Sequence, residues 1–164
     1  MMVQFPAELF VVPLGAPSGL SLRLARADDL RPLHTTCHPD KPLLQFRAHF
    51  EKMLDWQEND RCCWLVACDE TGQIVGSGEL VAYPHGNELA NLVVIPTRRD
   101  EGIGTAMIEV LTAVARHLGL DGLEIGVDVS NGRALALYER LGFTMDRQLN
   151  LPNQEPAIIL HKAL

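Results

Sequence analysis

Leu92-Val93-Val94-Ile95-Pro96-Thr97-Arg98-Arg99-Asp100-Glu101-Gly102-Ile103-Gly104 passes from an apolar, β-branched segment through a proline into a charged turn with two glycines. The apolar run reads as a strand that stops at Pro96, which has no N–H for a ladder bond. A helix opens at the glycines and runs to about Leu118, closed by Gly119. Glycine lets a backbone approach a ligand closely, and the first turn of a helix offers unpaired N–H groups to an anion. Gly102-x-Gly104 alone would be weak evidence, since turns carry many glycines. The strand–loop–helix order gives the pair its meaning.

Working outward, the upstream chain reads as a strand over Ser21–Ala25 and a short helix from Leu30, with Asp28 or Asp29 as its cap. A second helix covers Leu43 to Glu58, where Leu44, Phe46, Phe50, Met53, Leu54 and Trp56 recur at helical spacing. Strands follow at Cys63–Cys68, Ile74–Ala82 and Glu88–Ile95, joined by turns at Glu70-Thr71-Gly72-Gln73 and Tyr83-Pro84-His85-Gly86-Asn87. Downstream lie a strand at Leu123–Val129, a helix at Gly132–Leu141, and strands near Met145–Leu151 and Ala157–His161. The order β-α-α-β-β-β-α-β-α-β-β predicts an α/β fold on a mixed, mainly antiparallel sheet flanked by helices.

At 164 residues, 47% apolar and 21% charged, the chain fits one soluble domain. Its net charge of −7 argues against a nucleic-acid partner, which calls for a basic stripe. No apolar run has the length of a membrane span. The first twenty residues lack the basic start of a secretory leader, and Pro6, Glu8 and Pro13 interrupt their apolar run. Residues 1–18 therefore read as an N-terminal extension, with Phe10-Val11-Val12 either adding an edge strand or packing on the domain surface. Cys37, Cys62, Cys63 and Cys68 show no zinc-type spacing and read as free thiols of a cytoplasmic protein. His34, Cys37, His38 and Asp40 resemble half of a metal site. The second half is missing, so a polar turn accounts for them and no metal is expected.

A second stretch, Asn131-Gly-Arg-Ala-Leu-Ala-Leu-Tyr138-Glu-Arg-Leu-Gly-Phe143, sharpens the first. Arg99, Gly102 and Gly104, with Asn131, Leu137, Tyr138, Gly142 and Phe143 downstream, resemble the paired motifs of the GNAT superfamily of N-acetyltransferases. The element order resembles that family from Ser21 onward, which makes residues 19–164 one N-acetyltransferase domain. The resemblance implies acetyl-CoA as co-substrate, its pyrophosphate held by the backbone of Asp100, Glu101, Gly102, Ile103, Gly104 and Thr105. The carboxylates of Asp100 and Glu101 must then turn away from the phosphates. Arg99 either contacts the phosphates or holds the loop in shape, and Asn131 touches the cofactor arm, caps the following helix, or does both.

Leu92, Val93 and Val94 resemble the strand whose backbone pairs with the pantetheine arm and offers an amide to the thioester carbonyl. In the family this strand carries a bulge and splays from its neighbour, opening the cofactor slot. Tyr138 resembles the tyrosine that protonates the departing sulfur. An alkylamine is mostly protonated at neutral pH, so attack needs a base. Glu88, eleven residues before Arg99, stands where many family members carry a glutamate; a solvated carboxylate is the competing reading. Asn91 and Glu79 are weaker alternatives, and His85 and His161 read as structural.

The expected reaction is acetyl transfer to a small-molecule or peptide amine by direct attack in a ternary complex. A non-catalytic acyl-CoA-binding regulatory module is the alternative, and a metal-binding regulator built on His34, Cys37 and His38 is a further rival. Phe46, Arg47, Phe50 and Trp56 are candidates for an acceptor pocket, although helix-spaced aromatics also suit a core. The acidic balance tilts toward a polycationic acceptor. Homodimerisation through late strands or helices is a modest expectation.

Overall fold

The computed structural model describes residues 5–164. Seven strands, β1 (Ser21–Leu24), β2 (Cys62–Cys68), β3 (Ile74–Tyr83), β4 (Gly86–Val94), β5 (Gly122–Asp128), β6 (Thr144–Leu149) and β7 (Ala157–Ala163), form one sheet in the order β1-β2-β3-β4-β5-β7-β6. Helices α1 (Leu30–Cys37) and α2 (Leu43–Glu58) cover one face, α3 (Ile103–His117) and α4 (Gly132–Arg140) the other. Every neighbouring pair is antiparallel except β4 and β5. This is the predicted mixed α/β architecture, with the predicted element order.

Two apolar layers explain why β2 reads as an unbroken apolar run. Cys63, Leu65 and Ala67 face α3, while Cys62, Trp64, Val66 and Cys68 face α1 and α2, so both sides of the strand are buried. Helix α3 is buried along Ile103, Met107, Val110, Leu111 and Val114, as its periodicity requires. In α2, Phe46, Phe50 and Met53 are buried, with Phe46 and Phe50 edge-on to Trp64. These two phenylalanines therefore belong to the core rather than to an acceptor pocket.

Other local expectations are corrected. Phe10-Val11-Val12 forms no strand; a single 3₁₀ turn spans Ala7–Phe10, and Phe5, Leu9, Phe10 and Val12 join the α3-side core. Residues 1–4 of the extension lie outside the described residues. Asp29 does not cap α1: its carboxylate accepts two bonds from Arg23, at 2.7 and 2.9 Å, and one from the Arg26 amide at 2.7 Å. All four cysteines are free and buried. No helix among the described residues is long and apolar enough to cross a membrane.

Two irregularities of β4 shape the molecule. The strand pairs with β5 only at Glu88–Glu124 and Leu89–Ile125, beyond which the two part. Opposite β3 it carries a bulge: Ser77 pairs with Val93 and Glu79 with Ala90, so Asn91 and Leu92 share the place facing Gly78. A Cβ on Gly78 would collide with Leu92 Cδ2, so any larger residue there would force the Leu92 side chain to move. The available sequence signal was a pair of glycines, Gly76 and Gly78, inside a strand.

Candidate active site

Beyond its short pairing with β5, the end of β4 borders a cavity of about 690 Å³, within the range of small-molecule sites. Leu92, Val93 and Val94 of β4, the loop at Arg99, Asp100 and Gly102, the start of α3 at Ile103, Gly104 and Thr105, and Asn131 and Tyr138 all line it. Two motifs thirty residues apart in sequence thus meet in one cavity. Glu101 is the exception among the expected cofactor residues: its carboxylate turns aside to accept from Arg98 Nε at 2.7 Å.

The loop geometry follows from its glycines. Gly102 stands at φ +91°, a conformation L side chains avoid, and it precedes the first turn of α3. That turn leaves the leading N–H groups without helical partners and aims the positive end of the helix at the cavity. A Cβ on Gly104 would lie 3.6 Å from Leu137 and 3.8 Å from Val94, ordinary contacts, so an alanine fits where a longer side chain would fill the space.

Electrostatics separate this cavity from the rest of the chain. Four arginines (Arg98, Arg99, Arg133, Arg140) and a single carboxylate, Asp100, line it, in a protein of net charge −7. Asp100 is ion-paired with Arg133 at the head of α4, and Arg99 Nε donates to the Val94 carbonyl at 3.3 Å. Arg99 therefore ties the loop to the end of β4, which supports its loop-holding role. Arg133 sat within the quoted motif, yet sequence reading gave it no task; a cation two residues after the helix-capping Asn131 was the available signal. Asn131 Oδ1 accepts from the Ala134 amide at 3.2 Å, so Asn131 caps α4 while also lining the cavity.

Tyr138 is buried on α4 with its ring edge-on to Phe143, and burial raises its pKa. The phenol therefore stays protonated at neutral pH and has a proton to give.

Glu88 does not line the cavity. It pairs with Val81, whose side chain belongs to the α1/α2 layer, so its carboxylate lies across the sheet from Tyr138, where β4 and β5 part. Glu79, Glu88 and Glu124 form a row over three adjacent strands. Glu79 is held by His49 and Asn91, and Glu124 by Arg147 at 3.0 Å. Glu88 has no such partner among the described residues. Burial, then the charges of Glu124 and Glu79, raise its pKa against a smaller opposing influence from His85.

The other candidates have structural employment. Glu79 is 1% exposed with both carboxylate oxygens bonded, so it is no free base. His85 stacks on Tyr83, with ring centroids 5.3 Å apart, and His161 pairs in register with Glu124 on β7. His34 Nε2 bonds the Lys41 carbonyl at 2.7 Å, and His38 is buried against Phe46 with its pKa lowered to about 4, chiefly by burial. Among the described residues no group of three or more His, Cys, Asp or Glu side chains is placed to share a metal ion.

A strand with a bulge, splayed from its parallel neighbour over a glycine-opened helix, defines an acyltransferase-type α/β domain. Residues 27–143 match the acetyltransferase (GNAT) family, and the chain belongs to it. It is 32% identical over 117 residues to a mycothiol acetyltransferase of Jonesia denitrificans, covering 69% of this chain and 37% of that protein. A mycothiol acetyltransferase of Propionibacterium freudenreichii subsp. shermanii is 31% identical over 140 residues, covering 79% and 44%. The chain thus spans less than half the length of these curated relatives. In fold it resembles the spermidine N-acetyltransferase of Vibrio cholerae in complex with CoA and spermine, with a TM-score of 0.72 at 21% identity, covering 90% of this chain and 96% of that one.

Proposed function

We infer that the chain is an acetyl-CoA-dependent N-acetyltransferase that acetylates a primary amine by direct attack in a ternary complex. The observation that carries this reading is the cavity itself, which gathers the glycine loop, four arginines and Tyr138 beside the splayed edge of β4. The arginines and the amides of α3's first turn suit a polyanionic pyrophosphate. The names of the relatives, all acetyltransferases, support acetyl as the group moved.

Acetyl-CoA supplies an acyl carbon activated as a thioester. Glu88, with its raised pKa and no cation of its own, takes a proton from the acceptor's ammonium on the α1/α2 side of the sheet. Backbone amide released by the bulge near Asn91–Leu92 faces the carbonyl oxygen as it gains negative charge. The new C–N bond replaces the C–S bond, and Tyr138 delivers a proton to the departing sulfur. The attacking nitrogen sheds its second proton to solvent as the amide forms. Solvent restores the proton given by Tyr138 and removes the one left on Glu88, so one proton is released net per turnover.

Direct transfer is favoured over an acyl-enzyme because no cysteine is placed to be a nucleophile. All four are buried and none lines the cavity; burial raises each thiol, that of Cys63 to about 12. The acceptor is a small-molecule or peptide amine, and the row of Glu79, Glu88 and Glu124 favours a cationic one.

The test is thiol release from acetyl-CoA with pooled polyamines, aminoglycosides, amino acids and short peptides. Release above the hydrolysis background in at least one pool is expected. Tight coenzyme A binding with no release in any pool would favour the regulatory acyl-CoA-binding module instead.

A further inference from the structure

The bulge of β4 is anchored from both faces of the sheet. On the α3 side, Gly78 leaves the space that Leu92 occupies. On the α2 side, Asn91 stands at φ +51°, a left-handed conformation costly for most residues and tolerated by asparagine better than by most. Its Nδ2 donates to Glu79 Oε2 at 2.6 Å, and the other oxygen of that buried carboxylate lies 2.9 Å from His49 Nε2 of α2. Lys41 Nζ approaches Asn91 Oδ1 at 3.4 Å. One buried carboxylate therefore links the bulge to the helix layer on the acceptor side. Leu92, Val93 and Val94, the residues that follow the anchor, line the cavity.

We propose that Glu79 is a positioning residue for acyl transfer: through Asn91 it fixes the β4 bulge that presents backbone amide to the acyl carbonyl, and through His49 it ties α2 to that geometry. This rests on the acyl-transfer reading of the cavity. Glu79 touches neither substrate; it acts by holding the strand that does. Both of its oxygens are engaged by side chains from different elements, and a buried carboxylate so engaged resists displacement. A bulge that relaxed by one residue would flip the side chains of the strand end and move its amides away from the carbonyl.

Glycine adopts positive φ freely, so Asn91→Gly keeps the bulge accessible without its anchor. The experiment measures kcat well below each variant's melting temperature, with coenzyme A affinity by calorimetry, for Glu79→Ala, Asn91→Gly and the double variant. Glu79→Ala should lower kcat by about 100-fold, the scale of a misplacement near 1 Å, while coenzyme A affinity changes by less than about threefold. In the Asn91→Gly background the same removal should cost less than about threefold, because the two residues act as a unit.

Equal losses in both backgrounds would overturn the proposal, since Glu79 would then act on its own account. A fall in melting temperature with native kcat would overturn it too. Glu79→Gln keeps an acceptor for Asn91 and should recover most of kcat, which also serves if the alanine variant fails to fold; a glutamine as damaging as alanine counts against the holding role. Wild-type protein that binds no coenzyme A would sink the acyl-transfer reading instead. The bulge would then be tested separately by whether Glu79→Gln leaves, and Asn91→Ala moves, the Leu92 amide resonance.

Discussion

Toward α3 and α4, the end of β4 offers the cavity its own backbone and the apolar side chains of Leu92 and Val94, next to a loop that works through glycines and helix amides. Toward α1 and α2, the same strand offers Glu88 and Asn91, set among Glu79, Glu124, His49 and Arg147. In the proposed reading the first region binds through main chain, helix polarity and arginines, the second through ionisable side chains drawn from several elements. Main-chain recognition needs a contiguous run with glycines at fixed places. Side-chain recognition draws single residues from α2, β3, β4, β5 and β6.

The sharpest way to break that contrast is Gly104→Glu. The side chain would enter the cavity between Leu137 and Val94 and set a carboxylate where the helix terminus favours an anion. Coenzyme A affinity should fall by about 1,000-fold or more in calorimetry, whereas Gly104→Ala, within ordinary contact distance, should cost less than about tenfold. Near-native binding by the glutamate variant would remove the loop from the site.

On the other face, Glu88→Gln should lower kcat by about 100- to 1,000-fold and leave coenzyme A affinity intact. Its pKa is raised, by burial first and then by Glu124 and Glu79, so the acidic limb of the rate profile should lie above the ordinary carboxylate range and vanish in the variant. A carboxyl raised on folding binds its proton more tightly in the native state. Its ionisation therefore removes stability as pH rises through the folded value. The variant should melt higher than wild type at pH 8 and not at pH 4, so activity and stability change in opposite directions. An unchanged rate profile would return Glu88 to a solvated surface charge.

Tyr138→Phe divides the two regions more gently. The ring still packs on Phe143, so acetyl-CoA binding should hold within about twofold while kcat drops by about 100-fold. Unchanged kcat would make Tyr138 a packing residue.

What the sequence revealed follows the same division. The sheet order's ingredients, α3 and the cavity wall were legible because period-2 and period-3.6 patterns and the glycine loop are local. The roles of Phe46 and Phe50 were not, because a helical stripe looks the same facing a core or a pocket; Trp64, eighteen residues from Phe46, decides it. Glu79 read only as a weak candidate base because its partners lie thirty residues upstream, at His49, and twelve downstream, at Asn91. Phe10-Val11-Val12 had strand composition, yet it joins neither outer edge of the sheet, at β1 or β6, and its Phe10 and Val12 pack on α3's layer instead.

The smallest expected effect probes the one anion within the cationic wall. Asp100 stands at φ +65°, a conformation that asparagine also accepts, so Asp100→Asn changes charge without forcing the backbone. Its ion pair with Arg133 is exposed on both sides and contributes little to stability. Removing the carboxylate frees Arg133 and lifts a repulsion from the mouth of the cavity. Coenzyme A affinity should rise by about two- to fivefold at low ionic strength, and the gain should fade as salt shortens the screening length. If affinity falls instead, Asp100 holds the loop open for the ligand, and the cavity's selectivity for an anion rests on the backbone of α3 rather than on the arginines around it.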